Sequence, residues 1–169
     1  HLFIELSCTL MFVLCYLCFD FSEEFMLYAL ISTGAIILIV THFTHKIFPS
    51  EILIFILIIA VAARVLRDYN ISDITISTAI GAISVAIFHK IFHQNSELFS
   101  QENQLFDFMK FILIASVLLP ITIFVAYFTL VILLLSTVAL IDRGKHNLSL
   151  AALLITPFLA AIIFLPIIS

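Results

Sequence analysis

Long apolar segments separated by short polar breaks run along the whole chain. The longest extends from Phe111 to Ile141 without a charged residue and contains Pro120 in its first third. Segments of about 17 to 25 residues have the length that a helix needs to cross a hydrocarbon core about 30 Å thick. They do not alternate apolar and polar residues, as the strands of a membrane barrel do. The pattern therefore predicts membrane-spanning helices.

The polar breaks divide the chain into seven predicted helices. Pro49 and Pro120 mark two of the breaks, because proline interrupts the hydrogen-bond ladder of a helix. The predicted ranges are 2–19, 25–45, 51–66, 74–92, a fifth helix ending at Pro120, a sixth reaching Ile141, and 148–168. We expect an all-α fold, a polytopic transmembrane bundle of about six or seven helices, with residues 1–169 forming one domain.

The composition supports a membrane protein. Hydrophobic residues make up 64% of the chain and charged residues 11%, whereas soluble domains carry about 25% charged residues. The net charge of −4 is spread over short loops, so no basic surface favours nucleic acid as a partner, and the expected partner is the lipid bilayer. The chain begins at His1 and lacks the features of a signal peptide, which predicts an excerpt of a longer polypeptide.

The positions of lysine and arginine predict an orientation, because these residues concentrate in cytoplasmic loops. If the first helix starts in the cytoplasm, the inner side holds most of the basic residues: Lys46, Lys90, Lys110, Arg143 and Lys145. The outer side holds Arg67, with Arg64 nearby, and the acidic segment 20–24. This orientation places the end of the second helix and the start of the fifth on the cytoplasmic side.

Five segments carry landmarks in a recognisable order. The first, "HLFIELSCTLMF", contains Glu5, and the second, "VTHFTHKIFPSEI", contains His42 and Pro49. "SDITISTAIGAI" contains Gly81, and "LFDFMKFILIA" contains Asp107. "DRGKH" is followed by "ITPFLAAI", which contains Pro157, Phe158 and Leu159. In this order they resemble "PLVELLTALLF", "IDxxxxxIPD", "ADAxxGAxxG", "GxGDxKLLAA" and "FGPFLAL" of the prepilin peptidases, the type IV leader peptidases of the GxGD class.

The resemblance implies a membrane-embedded aspartic-type endopeptidase. Such an enzyme cleaves the leader from type IV prepilins or pseudopilins at the cytoplasmic face of the bacterial inner membrane, using two aspartates and no cofactor. Bifunctional members also methylate the new terminus and carry a zinc-binding CxxC region upstream of the part that this chain resembles. Cys15 and Cys18 have the same CxxC spacing, but within an apolar segment we interpret them as packing residues.

The chain departs from the family pattern at its catalytic positions. His42, seven residues before Pro49, stands where the family has its first aspartate. Asp107 matches the second aspartate, but Gln104 and Phe106 replace the two glycines of GxGD. Met109 replaces the lysine that follows, and Lys110 lies one position later. Asp107 and His42 are therefore the candidate catalytic residues.

Catalysis at these positions is an open question. An aspartyl protease needs two carboxylates that share a proton, one to activate water and one to polarise the scissile carbonyl. One alternative is an inactive homologue that binds prepilin-like helices or supports pilus or secretion assembly. A second is that Asp107 simply caps the fifth helix and interacts with its positive end. Asp142, on the same predicted side, is a possible substitute for the missing aspartate.

The histidines allow a further hypothesis. His42 and His45 are three residues apart, and His89 and His93 are four apart, so each pair lies on one face of a predicted helix. Such pairs are typical of transition-metal sites, and Asp107 would complete a mixed site. The alternative is that they are interfacial residues at the negative ends of two helices. A metal site would make the chain a small metal-binding or transport membrane protein.

Overall fold

The computed structural model describes residues 2–45, 48–67, 71–93, 102–141 and 150–168. Over these ranges the chain forms seven helices and no strand, which confirms the all-α prediction. The helices are α1 (Leu2–Phe19), α2 (Glu23–His45), α3 (Ser50–Leu66), α4 (Ile71–His93), α5 (Glu102–Leu118), α6 (Ile121–Ile141) and α7 (Leu150–Ile168).

Pro120 separates α5 from α6, as predicted. The amide of Leu119 still donates to the carbonyl of Ala115 at 2.9 Å, and the next helix begins with a bond from Phe124 to Pro120 at 2.8 Å. Because proline has no amide hydrogen, it cannot continue the ladder of α5, but it is well suited to the start of α6. The long apolar run is therefore two helices.

A short turn joins α1 to α2. Asp20 adopts a positive φ of 50°, a left-handed conformation that aspartate tolerates better than most residues. The hydroxyl of Ser22 then donates to the carbonyl of Phe19 at 2.8 Å and accepts from the amide of Phe25 at 3.2 Å. Ser22 therefore satisfies groups at the end of one helix and the start of the next.

The helices pack in a continuous series. α2 packs between α1 and α3, α3 continues onto α5, and α5 packs on α4. α7 packs against both α2 and α6. Buried side chains from all seven helices form one apolar core, to which α1 and α4 contribute the fewest residues.

Small residues allow α4 to approach α5 closely. The buried face of α4 carries Ser77, Gly81 and Ser84, one and two turns apart. A Cβ atom at Gly81 would lie 2.0 Å from the hydroxyl of Ser116 and 2.5 Å from its Cβ. Small residues at such spacing are the usual basis of close helix contacts in membranes. Gly81 is thus required by packing against α5.

Within the part of the chain that the structure describes, three helices are long and apolar enough to cross a membrane: Glu23–His45, Ser72–Ile91 and Ile121–Val138. Seven spans were predicted. α3 and α5 have 17 residues each, which corresponds to about 25 Å of helix, short of the roughly 30 Å hydrocarbon core. The apolar parts of α1 and α7 are also shorter, Ile4–Phe19 and Ala152–Pro166.

The outer surfaces of the bundle are apolar. α1 exposes Leu6, Leu10 and Leu17, and α3 exposes Ile54, Ile58 and Val65. Among the exposed threonines, Thr9, Thr41 and Thr129 donate their hydroxyls to the carbonyl four residues earlier. A surface with apolar side chains and internally satisfied hydroxyls is consistent with contact with lipid, where water does not compete for these groups.

Candidate functional site

His42 lies in the last turn of α2 and is buried, with 3% of its surface exposed. After α2 the chain reverses, and Phe48 and Pro49 lead into α3. The ring of Phe48 returns to the end of α2, where its centroid lies 5.2 Å from that of the imidazole. Pro49, in an extended conformation directly before α3, follows this aromatic residue, which covers His42.

The start of α5 approaches the same end of the bundle. The centroid of the Phe108 ring lies 6.1 Å from that of His42, and the Phe108 and Phe48 rings stack with centroids 5.5 Å apart. We call these three residues, His42, Phe48 and Phe108, the aromatic cluster. It joins the end of α2 to the start of α5, the two segments that the sequence predicts to form the site.

Asp107 precedes Phe108 and is partly buried, with 15% of its side chain exposed. The Nζ of Lys110 donates to its Oδ1 at 2.9 Å, and the lysine side chain is 56% exposed. Lys110 therefore pairs with Asp107 across one turn of the same helix. Phe106, in place of a family glycine, is 52% exposed, and the side chain of Gln104 lies outside the described part.

Asp107 does not cap its helix. α5 begins at Glu102, so Asp107 is its sixth residue and lies in the second turn. The amides left free at a helix start belong to the first turn, and the effect of the helix dipole is largely confined there. The capping interpretation is therefore wrong, because α5 extends further into the preceding polar segment than we expected. Asp142, the possible substitute, lies outside the described residues.

The chemistry of this end of the bundle is more apolar than an aspartyl protease requires. His42 presents an imidazole in contact with two phenyl rings, those of Phe48 and Phe108. The carboxylate of Asp107 is paired with Lys110. His42 and Asp107 therefore do not form the pair of carboxylates that activates water in an aspartyl protease.

The histidine pairs diverge where they can be followed. His42 is buried, whereas His45, at the end of the same helix, is exposed. His89 is partly buried, and the side chain of His93 lies outside the described part. Over the described ranges, no group of three or more His, Cys, Asp or Glu side chains is placed to hold a metal ion. The metal site stays a prediction.

Sequence reasoning missed two features. Phe48 and Phe108 were not distinguished from the many other phenylalanines, and only their contacts across the bundle reveal them. Arg64 was noted only as a neighbour of Arg67 near the outer side, and its burial was not foreseen: it lies in α3 with 2% of its surface exposed. Its position inside an apolar segment was the available signal, since ionisable residues in such segments are costly and commonly have a specific role.

The opposite end of the bundle holds an open pocket of about 470 Å³. The ends of α1, α3 and α7 and the start of α2 surround it, and its lining includes Cys18, Asp20 and Glu23. Nearby, Arg67 pairs with Glu24 at 3.6 Å. The pocket is separated from the aromatic cluster by the length of α2.

Comparison of the chain with known proteins gives no matching family model, no matching curated protein and no matching solved structure.

Proposed function

We propose that this chain is a prepilin-peptidase-like membrane protein that binds the leader segments of prepilins or pseudopilins without cutting them. The binding end is formed by the end of α2 and the start of α5. The observation that carries this proposal is the contact between His42 and Phe108, because it joins the two segments that hold the catalytic aspartates in the family that the sequence resembles.

Binding without cleavage is favoured by the surroundings of the two candidate residues. His42 is shielded by Phe48 and Phe108, so water has poor access to the imidazole. The Oδ1 of Asp107 lies 2.9 Å from the Nζ of Lys110, so the partner seen at this carboxylate is a lysine and not a second carboxyl group. The exposed ring of Phe106 offers an apolar contact for a bound helix where the family has glycine.

Cleavage is the second candidate function. It is favoured by one observation, the partial exposure of Asp107 at the mouth of the bundle. In this case Asp107 would act with a second group, and the product would be a prepilin that has lost its leader. The two functions share the binding site and differ in the chemical outcome.

The test uses the purified chain in lipid nanodiscs and a prepilin-type substrate that carries a leader and its following apolar helix. We expect saturable binding and no loss of the leader. Absence of binding would overturn the proposal, and leader loss that disappears in Asp107→Asn would establish the endopeptidase. Asp73→Asn is the matched control, since Asp73 is an exposed aspartate at the start of α4, at the other end of the bundle.

His42→Asp tests the relation to an aspartyl protease directly. If the bundle derives from such an enzyme, this substitution restores the second carboxylate, and we expect a gain of leader cleavage that a further Asp107→Asn change removes. His45→Asp is the control, because its side chain is exposed at the end of the same helix.

We further propose that the chain crosses the bacterial inner membrane several times, with the aromatic cluster facing the cytoplasm. The bias of lysine and arginine toward that end of the bundle supports this orientation. The test is labelling of single cysteines with a membrane-impermeant maleimide in spheroplasts. Asp20→Cys should react in intact spheroplasts, and Lys90→Cys only after lysis. The reverse pattern would contradict the orientation.

A further inference from the structure

Arg64 is buried near the end of α3 and links it to two other helices. Its Nη1 donates to the carbonyl of Leu118 in α5 at 3.3 Å, and its Nη2 donates to the hydroxyl of Ser77 in α4 at 3.3 Å. Arginine keeps its charge at any ordinary pH. A permanent charge within a bundle of apolar helices is costly, so these contacts must compensate for a substantial loss of hydration.

The carbonyl of Leu118 needs a donor from elsewhere. Leu118 is the last residue of α5, and Pro120 interrupts the ladder immediately after it. In a continuous helix this oxygen would accept from an amide four residues later, in the segment that now begins α6. A cation is also favoured at this end, because the carbonyl end of a helix carries partial negative charge. Arg64 supplies both the donor and the charge.

The second contact fixes the direction of the guanidinium. Ser77 belongs to the same buried face of α4 as Gly81, which lies against Ser116 of α5. The planar guanidinium therefore reaches both helices close to their contact at Gly81 and Ser116. Lysine has no such fork, since its donors diverge from a single nitrogen.

We propose that Arg64 is a lock that fixes the position of α5 along its axis relative to α3 and α4. Sliding α5 toward either end would move the carbonyl of Leu118 away from Nη1, while the bond to Ser77 holds the guanidinium in place. Because α5 is rigid, the lock also sets the height of Asp107 and Phe108 at its opposite end. This inference does not depend on the proposed binding of leader segments.

The experiment measures the position of α5 directly. Cys8, Cys15 and Cys18 are replaced by Ala, and spin labels are attached at Glu51→Cys in α3 and Lys110→Cys in α5, both exposed sites. Double electron–electron resonance in nanodiscs then gives the distance between the labels. With Arg64 present we expect one narrow distribution. Arg64→Gln should shift it by about 1–2 Å or more, or broaden it by a similar amount, and Arg64→Lys should give an intermediate result.

Arg67→Gln is the matched control. Arg67 lies just beyond the end of α3 and pairs with Glu24 of α2, so its loss should leave the α3–α5 distance unchanged. Circular dichroism and gel filtration verify that each variant is folded. An unchanged distribution in folded Arg64→Gln would overturn the proposal. If Arg64→Gln does not fold, Ser77→Ala removes one of the two contacts instead, and an unchanged distribution there would overturn it equally.

Discussion

The imidazole of His42 in α2 lies edge-on to the ring of Phe108 in α5, with centroids 6.1 Å apart and ring planes at 77°. This contact connects residues far apart in the chain and joins the end of α2 to the start of α5. Phe48 contacts both of these rings, with centroids 5.2 Å from the imidazole and 5.5 Å from the Phe108 ring, so two aromatic rings cover the imidazole. Edge-to-face pairs of this kind contribute about 0.5–1.5 kcal/mol beyond the burial of their area.

We expect His42→Phe to be tolerated far better than His42→Asp. A phenyl ring is somewhat larger than an imidazole but keeps the aromatic contacts and brings no charge, and hydrophobic exchanges of similar size usually cost less than about 1.5 kcal/mol. An aspartate in the same enclosed space loses its hydration and lowers the free energy of unfolding by about 1–3 kcal/mol. Denaturant titration in detergent measures the free energy of unfolding of both variants. Equal stability of the two variants would contradict the enclosed position of His42.

Gly81→Ala should destabilise the bundle through the α4–α5 contact. The added Cβ would lie 2.0 Å from the Ser116 hydroxyl, and overpacking of this kind costs about 1–3 kcal/mol. The higher helix propensity of alanine offsets up to about 1 kcal/mol of this cost. Thermal unfolding measures the net loss of stability. Adding Ser116→Gly should remove the steric clash.

Gly34→Ala is the control for this prediction. Its Cβ would lie 2.9 Å from Cγ1 and 3.2 Å from Cδ1 of Ile56, a much smaller steric overlap than the 2.0 Å approach at Gly81. We expect a clearly smaller loss of stability than at Gly81. A larger loss at Gly34 would mean that the α2–α3 contact, rather than α4–α5, is the tighter one.

Asp107→Asn should change stability by less than about 1 kcal/mol. Its partner Lys110 is 56% exposed, and solvent-exposed ion pairs of this type contribute little. Chemical denaturation measures the free energy of unfolding of Asp107→Asn and of Lys110→Gln. The double variant then gives the interaction energy between the two side chains. A loss of leader binding in Asp107→Asn at unchanged stability would therefore reflect the site itself. A destabilisation of several kcal/mol would instead assign Asp107 a structural role.

Tyr127→Phe should cost about 0.5–1.5 kcal/mol, the usual contribution of a single hydrogen bond. The Tyr127 hydroxyl is buried and donates to the carbonyl of Leu154 at 3.3 Å, which ties α6 to α7. Thermal unfolding in detergent compares it with Tyr16→Phe, the removal of a hydroxyl from an exposed ring of α1. Identical unfolding temperatures for the two variants would show that the α6–α7 bond is not important for stability.

The sequence predicted the helices better than the site. Pro120 correctly divided the apolar run into α5 and α6, because the loss of an amide hydrogen has a local effect that any fold must respect. The start of α5 was placed too late, since polar residues such as Glu102 gave no sign that they belong to a helix. The order of the segments pointed to His42 and Asp107, but not to the aromatic rings around them.

By itself, the sequence determined the apolar helices and where they end, because helix length, proline and the absence of charge act locally along the chain. Only the tertiary structure decided which side chains meet. It placed Phe48 and Phe108 around His42, paired Asp107 with Lys110, and set Arg64 against Leu118. These contacts depend on how far each helix slides and rotates against its neighbours, and small residues such as Gly81 set that distance through packing that no single segment encodes.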